Sequence, residues 1–137
     1  MEHGQQELMF KLSMFEQQLH HLQQQVQAIE QGIIEMGYIN IGLDELVGAK
    51  GKEIFAPIGR GIFAKTKLIS EELTVDIGGK NFVKKSVPET KKIIEEQIKK
   101  LEDVKDELNE NIDKISEELQ KIIAEAQEKE VKSVKKK

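Results

Sequence analysis

The sequence predicts a mainly α-helical α+β protein, in which a long antiparallel coiled-coil hairpin carries two β-hairpins inserted between its helices. Two observations indicate this fold: heptad arrays of apolar residues lie toward both ends, and short β-rich runs with Gly and Pro lie between them. The composition agrees, because 34% of the 137 residues are charged and only 4% are aromatic, which is typical of a coiled coil rather than a compact core. We therefore expect a single domain.

The first predicted element is a coiled-coil helix over residues 1–45. Its apolar residues step alternately by four and by three positions: Leu8, Leu12, Phe15, Leu19, Leu22, Val26, Ile29, Ile33 and Met36. This is the heptad spacing of a helix that packs against another helix along one narrow stripe. The remaining faces are mostly Gln, Glu and His, as expected for solvent-exposed surfaces.

A second coiled-coil helix is predicted over residues 87–130, followed by a basic tail over residues 131–137. Its heptad rows contain Val87, Ile94, Leu101, Leu108, Ile115, Ile122, Ile98, Ile112, Leu119 and Ala126. Ser86 and Glu89 have the spacing of a capping box, and Pro88 stands in the first turn, where its missing N–H costs nothing. Glutamates precede lysines by four residues in Glu95–Lys99, Glu96–Lys100, Glu110–Lys114, Glu117–Lys121 and Glu125–Lys129, a spacing that favours surface ion pairs.

The two arrays are expected to pair with each other in antiparallel orientation, with the residue numbers across the pair adding to about 133. Two slots of the second array hold Lys91 and Lys105 instead of apolar residues. Two interpretations stand for these lysines: an aliphatic stem that covers the seam while the amine reaches water, or a polar residue that sets the register of pairing.

Residues 46–86 change character and predict two β-hairpins. The runs Glu53–Pro57 and Ile62–Lys67 flank the first Gly-containing turn, and Leu73–Ile77 and Phe82–Lys85 flank the second. Two isolated hairpins are not stable alone in water, and their free edges can accept further strands. The sequence therefore predicts oligomerisation through this β insert.

No arrangement of residues in the sequence indicates catalysis or metal binding. The chain has no cysteine, and its histidines, His3, His20 and His21, lie at positions that favour solvated helix surface over a metal site. The run Gly59-Arg60-Gly61 is followed by another β run rather than a helix, which favours a tight turn over a phosphate-binding loop. We therefore expect no enzyme activity, no cofactor and no metal.

The basic tail and the absence of long apolar runs bear on partners and location. The lysines at the end of the chain lack arginine and aromatic neighbours, and the chain is acidic overall, so a solvating or electrostatic docking tail is favoured over nucleic-acid binding. No apolar run is long enough for a membrane span. We expect a cytoplasmic protein without nucleic-acid or membrane partners.

Two stretches of the insert resemble the prefoldin alpha subunit. The run Pro57-Ile58-Gly59-Arg60-Gly61-Ile62-Phe63 is similar to the family's P-[IL]-G-x-G-x-F stretch. The runs Val75-Asp76-Ile77-Gly78 and Val83-Lys84-Lys85-Ser86 are similar to its V-x-[IV]-G and V-E-[KR]-S stretches, except that Lys84 stands where the family usually has glutamate. Two hairpins in place of one point to the alpha class.

The resemblance implies a particular assembly and activity. A prefoldin alpha subunit is expected to join beta subunits as a hexamer of two alpha and four beta chains, with a β-barrel hub from which coiled coils extend. Such a hexamer captures unfolded polypeptides without ATP and delivers them to a group II chaperonin. The residues assigned to this hub are Ile54, Pro57, Ile58, Gly59, Gly61, Phe63, Val75, Ile77, Gly78 and Val83.

Client binding is expected where the two helices end together, far from the insert. The chain places more apolar residues there than one helix seam needs: Met9, Phe10, Leu12, Met14, Phe15, Ile122 and Ile123, hereafter the tip cluster. Exposed Met and Phe make adaptable contacts with varied apolar segments. Three alternatives remain open: these residues only complete the coiled coil, the chain is a structural or tethering coiled coil that binds no client, or it is a filament-forming relative of prefoldin.

Overall fold

The computed structural model describes the backbone of residues 2–135 and the side chains of residues 4–128. Its elements are α1 (Glu2–Leu46), β1 (Glu53–Gly59), β2 (Ile62–Lys67), β3 (Leu73–Asp76), β4 (Phe82–Lys85) and α2 (Val87–Lys135). Two long helices thus form a hairpin with two β-hairpins between them, which confirms the predicted fold. Helix α2 continues past its predicted end at residue 130, and the side chains of the predicted basic tail lie outside the described residues.

The chain divides into two compact units. The terminal unit consists of Met1–Gln31 and Leu101–Lys137, and the central unit consists of Gly32–Lys100. Both helices contribute to both units, whereas all four strands belong to the central unit.

The heptad pattern corresponds to the buried stripe of each helix. Every predicted seam residue of α1 from Leu8 to Met36 is half-buried, while most of its neighbours are exposed. The stripe then continues through Asn40 to Leu43, which is buried. In α2 Val87 is buried, and the later heptad slots as far as Ala126 are half-buried, including the two lysine slots. Since each stripe follows heptad spacing, the seam is that of a coiled coil.

Lys91 and Lys105 combine both interpretations made from the sequence. Their side chains are half-buried in the seam, and each amine forms a salt bridge to an acid on α1. In the central unit Lys91 pairs with Asp44, and in the terminal unit Lys105 Nζ lies 3.3 Å from Glu30 Oε1. The residue numbers of each pair add to 135, close to the expected value, so both lysines mark the same antiparallel register.

The start of α2 is capped by Ser86. The backbone N–H of Glu89 donates to Ser86 Oγ at 3.2 Å, and the Ser86 hydroxyl in turn donates to the Glu89 carboxylate at 3.1 Å. The predicted cap is therefore present, although Glu89 contacts the hydroxyl instead of the backbone N–H of a full capping box. Among the described side chains, the predicted surface pairs of α2, such as Glu95–Lys99, are not closed as ion pairs.

Both β-hairpins are antiparallel and end in tight turns. Strand β1 pairs with β2 from Glu53↔Lys67 to Gly59↔Ile62, with a bulge between Pro57 and Gly59, and β3 pairs with β4 from Leu73↔Lys85 to Asp76↔Phe82. The turn residues Arg60 and Gly61 have φ of 47° and 77°, and Gly79 and Lys80 have 59° and 63°. Positive φ at both central residues is the signature of type I′ turns, which match the twist of hairpin strands.

The most buried side chains lie where helices and insert meet in the central unit. Val87 is 2% exposed, Ala49 5% and Leu43 8%. The Glu71 carboxylate accepts a hydrogen bond from the backbone N–H of Gly48, just after α1, which ties the segment before β3 to the end of that helix.

Candidate functional surfaces

The tip cluster divides into seam residues and exposed residues. Leu12, Phe15 and Ile122 are half-buried in the seam of the terminal unit. Met9 is 70% exposed, Phe10 67%, Met14 44% and Ile123 41%. The exposed members stand outside the heptad slots of the coiled coil.

Helical geometry explains why these residues are exposed. Phe10 and Met14 are four residues apart, so their side chains lie on one face of α1, beside the seam rather than in it. A two-helix coiled coil buries one stripe of each helix and has no third layer to cover a second stripe. Phe10 and Met14 therefore form an apolar surface of the terminal unit that is open to solvent.

The first hairpin has two faces of different character. Along one face, Ile54 and Ala56 of β1 and Ala64 of β2 are half-buried. The other face carries Phe63, which is 59% exposed and stands opposite Pro57. The remaining assigned residues of this hairpin, Ile58, Gly59 and Gly61, lie at the bulge and turn, where Ile58 is 70% exposed.

The second hairpin presents a smaller apolar surface. Val75 stands opposite Val83, and both are half-buried. Ile77 follows the last paired residue of β3 and is 59% exposed, and Gly78 begins the turn with φ of 127°. Among the described residues of this hairpin, Ile77 thus leaves apolar surface open to solvent.

Several exposed apolar residues of the central unit were missed by sequence reasoning. On the insert these are Phe55, Ile62, Ile69 and Phe82, each at least 59% exposed. On α1, Ile34, Tyr38 and Ile41 form a second stripe at i, i+4 and i+7, and they are 51%, 70% and 60% exposed. That spacing is visible in the sequence, but the stronger heptad stripe beside it conceals the signal.

The charged groups of the central unit pair locally. The hydrogen bond from Lys91 to Asp44 raises the pKa of Lys91 above its ordinary value, with partial opposition from desolvation and smaller support from the Asp44 and Glu95 charges. Lys84 lies 3.6 Å from Glu72 and is exposed. The lysine thus pairs within its own hairpin.

Asn40 is a polar residue in the helix seam that sequence reasoning also missed. It occupies the heptad slot between Met36 and Leu43, and its side chain is half-buried. Within the described residues, its Oδ1 is shielded from solvent and has no hydrogen-bond partner. A seam asparagine of this kind lowers stability but restricts the alternatives for helix pairing.

The arrangement contains little that could perform chemistry. Among the side chains of residues 4–128, no cluster of three or more His, Asp and Glu is placed to hold a metal ion. His20 and His21 are exposed and each lies within hydrogen-bond distance of a glutamine four residues on, while the side chain of His3 lies outside the described residues. None of the helices, as far as they are described, has the length and apolar content of a membrane span.

The fold and its surfaces define a class of protein: a helical hairpin with solvent-open apolar residues beside its seam and an apolar β insert between its helices. Comparison with known proteins gives the family. The chain matches the prefoldin subunit family over residues 15–132 and belongs to it. Prefoldin subunits are non-enzymatic chaperones, in agreement with the expected absence of a catalytic site.

Curated relatives refine the class within the family. The chain is 28% identical over 86 residues to the prefoldin subunit alpha of Methanosphaera stadtmanae, a match that covers 63% of this chain and 62% of the relative. It is 34% identical over 82 residues to the prefoldin subunit alpha of Methanobrevibacter smithii, covering 59% and 56% respectively. The match thus spans about three fifths of the length of these relatives, both of which are alpha subunits.

A solved structure supports the fold. The filamentous PFD of Methanocaldococcus jannaschii, determined by cryo-EM, superimposes with a TM-score of 0.75 and 21% sequence identity. The superposition covers 84% of this chain and 97% of that chain.

Proposed function

We propose that this chain is the alpha subunit of an ATP-independent chaperone, which captures unfolded polypeptides on the tip cluster and delivers them to a group II chaperonin. The observation that carries the proposal is the exposure of Phe10 and Met9 on α1, outside the seam that holds the two helices together. Large apolar side chains at such exposure are the surface that a non-native chain, with its own core residues uncovered, can bury.

The energetics suit transient capture. Burying one Phe or Met side chain against a client contributes about 1.5–3 kcal/mol, which is weak for a single site. Several such sites on one particle hold a client more tightly through effective concentration, while each contact still releases quickly. Methionine adds adaptability, because its unbranched thioether fills irregular surfaces. This combination favours clients that differ in sequence and share exposed apolar segments.

The same proposal assigns the β insert to assembly. The chain would join beta subunits in the cytoplasm as a hexamer of two alpha and four beta chains, with its strands in a β-barrel hub. Support comes from the apolar residues of both hairpins, such as Phe63 and Ile77, which remain more than half exposed in the free chain. Two hairpins of this size need further strands for stability.

A second candidate function is self-assembly into a filament or tether. One observation favours it: the solved structure with a similar fold is a filamentous PFD. In that case the exposed residues of the insert would join copies of this chain, and the tip cluster would not be required for activity. A measurement of particle mass distinguishes the two functions, because a closed hexamer has a single defined mass and a filament does not.

The client-binding proposal is tested by changing Phe10 and Met14 together to Ser in the assembled complex. We expect the complex to keep its mass and its helix content but to suppress aggregation of an unfolded model client, such as chemically denatured citrate synthase, several-fold less well. Both side chains lie outside the seam, so their loss leaves helix pairing intact.

The matched control is Leu19→Ser, which changes a half-buried seam residue of the same helix. It should lower the melting temperature of the helices, an effect that the Phe10 and Met14 variant should not show. If the double variant protects the client as well as the parent does, client capture by the tip cluster is wrong for this subunit.

A further inference from the structure

We infer that the outer edge of β2, rather than that of β1, is the principal edge at which the first hairpin receives a strand of another subunit, and that this strand carries carboxylates opposite Lys65 and Lys67. The inference rests on the proposed assembly through the β insert and identifies which edge and which partner chemistry serve it.

Hydrogen-bond alternation defines the two outer edges. Gly59 and Ile62 flank the two-residue turn and form its closing pair, and in an antiparallel hairpin every second pair then exchanges N–H···O bonds. The bond from Leu68 N–H to Lys52 O, at 3.0 Å, continues this alternation beyond the strands. Phe63, Lys65 and Lys67 therefore turn their backbone N–H and C=O groups away from β1.

The outer edge of β1 has one N–H donor fewer than that of β2, at the end beside the bulge. The residues opposite these three are Pro57, Phe55 and Glu53, which form the outer edge of β1. Proline has no N–H, and the bulge beside Pro57 bends the strand, two features that stop strand addition at sheet edges. A partner strand on β1 is confined to Glu53 and Phe55, whereas β2 presents three consecutive outward donors.

The side chains of β2 select the partner. Lys65 and Lys67 are exposed and project on the same face as Phe63. Antiparallel pairing of β2 with β2 of a second copy, centred on Lys65, would place lysine against lysine, which is destabilising. A strand with Glu or Asp at those positions gains cross-strand ion pairs instead, so the edge favours a different subunit over another copy of this chain. The existing Lys65–Glu53 pair, 3.1 Å apart within the hairpin, shows that this lysine accepts a carboxylate from a neighbouring strand.

The first experiment needs no substitution. Backbone amide hydrogen exchange is followed by NMR for the full chain, alone and in complex with the beta-class prefoldin subunit of the same genome. We expect Phe63, Lys65 and Lys67 to exchange at least about tenfold more slowly in the complex, and Glu53 and Phe55 to change less. Equal or greater protection on β1, or protection on neither edge, overturns the inference. Protection of β2 in the chain alone at high concentration overturns the choice of partner.

A matched pair of prolines gives the second test. Lys65 and Phe55 stand opposite each other in a non-hydrogen-bonded pair, so proline at either position removes one outward donor without breaking a bond inside the hairpin. Relative to Lys65→Ala, we expect Lys65→Pro to raise the Kd for the beta subunit by about tenfold or more. Relative to Phe55→Ala, Phe55→Pro should raise it by less than about threefold. An equal or larger effect at Phe55 contradicts the edge assignment.

Failure of this inference is distinguishable from failure of the proposed assembly. The variant Val75→Asp with Ile77→Asp alters the apolar surface of the other hairpin and leaves both edges of the first intact. If both proline variants assemble normally while the aspartate variant dissociates, assembly through the insert stands and edge pairing at β2 is wrong. If Lys65→Pro lowers the helix content, the variant no longer tests the edge. The hydrogen-exchange result on the unaltered chain then decides whether β2 is the pairing edge.

Discussion

The two coiled-coil helices and the β insert bury their apolar residues in different ways. Along the helices, the heptad slots are half-buried or buried in the seam between the two helices of the chain, as for Leu19 and Leu43. Along the insert, large side chains such as Phe55 and Phe82 are at least 62% exposed. The helices therefore find their partner within the chain, whereas the insert leaves large apolar side chains open to solvent, which is why we propose that the insert is the part that assembles the subunit.

The same contrast recurs within α1. Near its start, Phe10 and Met14 stand beside the seam and stay exposed, and near its end Ile34, Tyr38 and Ile41 do the same. The first pair belongs to the terminal unit, and the second set belongs to the central unit, in which the four strands described above lie. One helix thus presents two solvent-exposed apolar surfaces in different surroundings.

The largest expected effect on assembly comes from substitutions in the insert that leave the helices unchanged. Replacing Val75 and Ile77 with Asp places two charges on the apolar surface of the second hairpin, where burial of an unpaired charge costs several kcal/mol. We expect the assembled complex to dissociate toward the 15.6 kDa chain in light scattering, with little change in helical circular dichroism.

The control for that experiment is Thr74→Asp, which adds a charge to the opposite, exposed face of the same strand. It should leave the complex assembled. An unchanged mass for the Val75 and Ile77 variant would show that the second hairpin is not needed for assembly.

A smaller effect is expected from the buried end of the seam. Leu43 is 8% exposed, so truncation to Ala should lower the free energy of unfolding by about 2–5 kcal/mol in denaturant titrations. Ile41, two residues earlier, is 60% exposed, and its change to Ala should have an effect close to zero in the free chain. Equal losses at the two positions would mean that the seam does not separate buried from exposed residues as described.

Most of the helical architecture could be predicted because heptad spacing reports burial directly. The nine apolar slots of α1 required no knowledge of a partner, since the partner lies in the same chain. Asn40 was missed because it is polar. It occupies a heptad slot of α1, but a search for apolar residues at heptad spacing does not detect it. The hairpins could be placed because glycines mark turns that need positive φ, as at Gly61 and Gly79.

The exposed surfaces could be predicted only in part. Phe10 and Met14 were recognised because they exceed what one seam can bury, whereas Phe55 alternates with half-buried residues and looks like an ordinary strand position. Whether a strand residue faces a core or solvent depends on what packs on that face, and the strand pattern alone does not contain this information. The exposed surface of the insert is therefore harder to predict from one sequence than the helix seam.

The smallest expected effect concerns the register of the seam, at Lys105 and Glu30. Both side chains are partly exposed, at 34% and 47%, so solvent screens their attraction and the pair should contribute only about 0.2–1 kcal/mol. Lys105→Glu alone and Glu30→Lys alone each place like charges together, and each should destabilise the chain. Combining them restores opposite charges in the same register, so the double variant should regain most of the loss. A double-mutant cycle from denaturant titrations measures this coupling, which should shrink as salt is added. If the two losses simply add at low salt, the lysine contributes through its stem in the seam and not through its charge. The coil register would then depend on apolar packing alone.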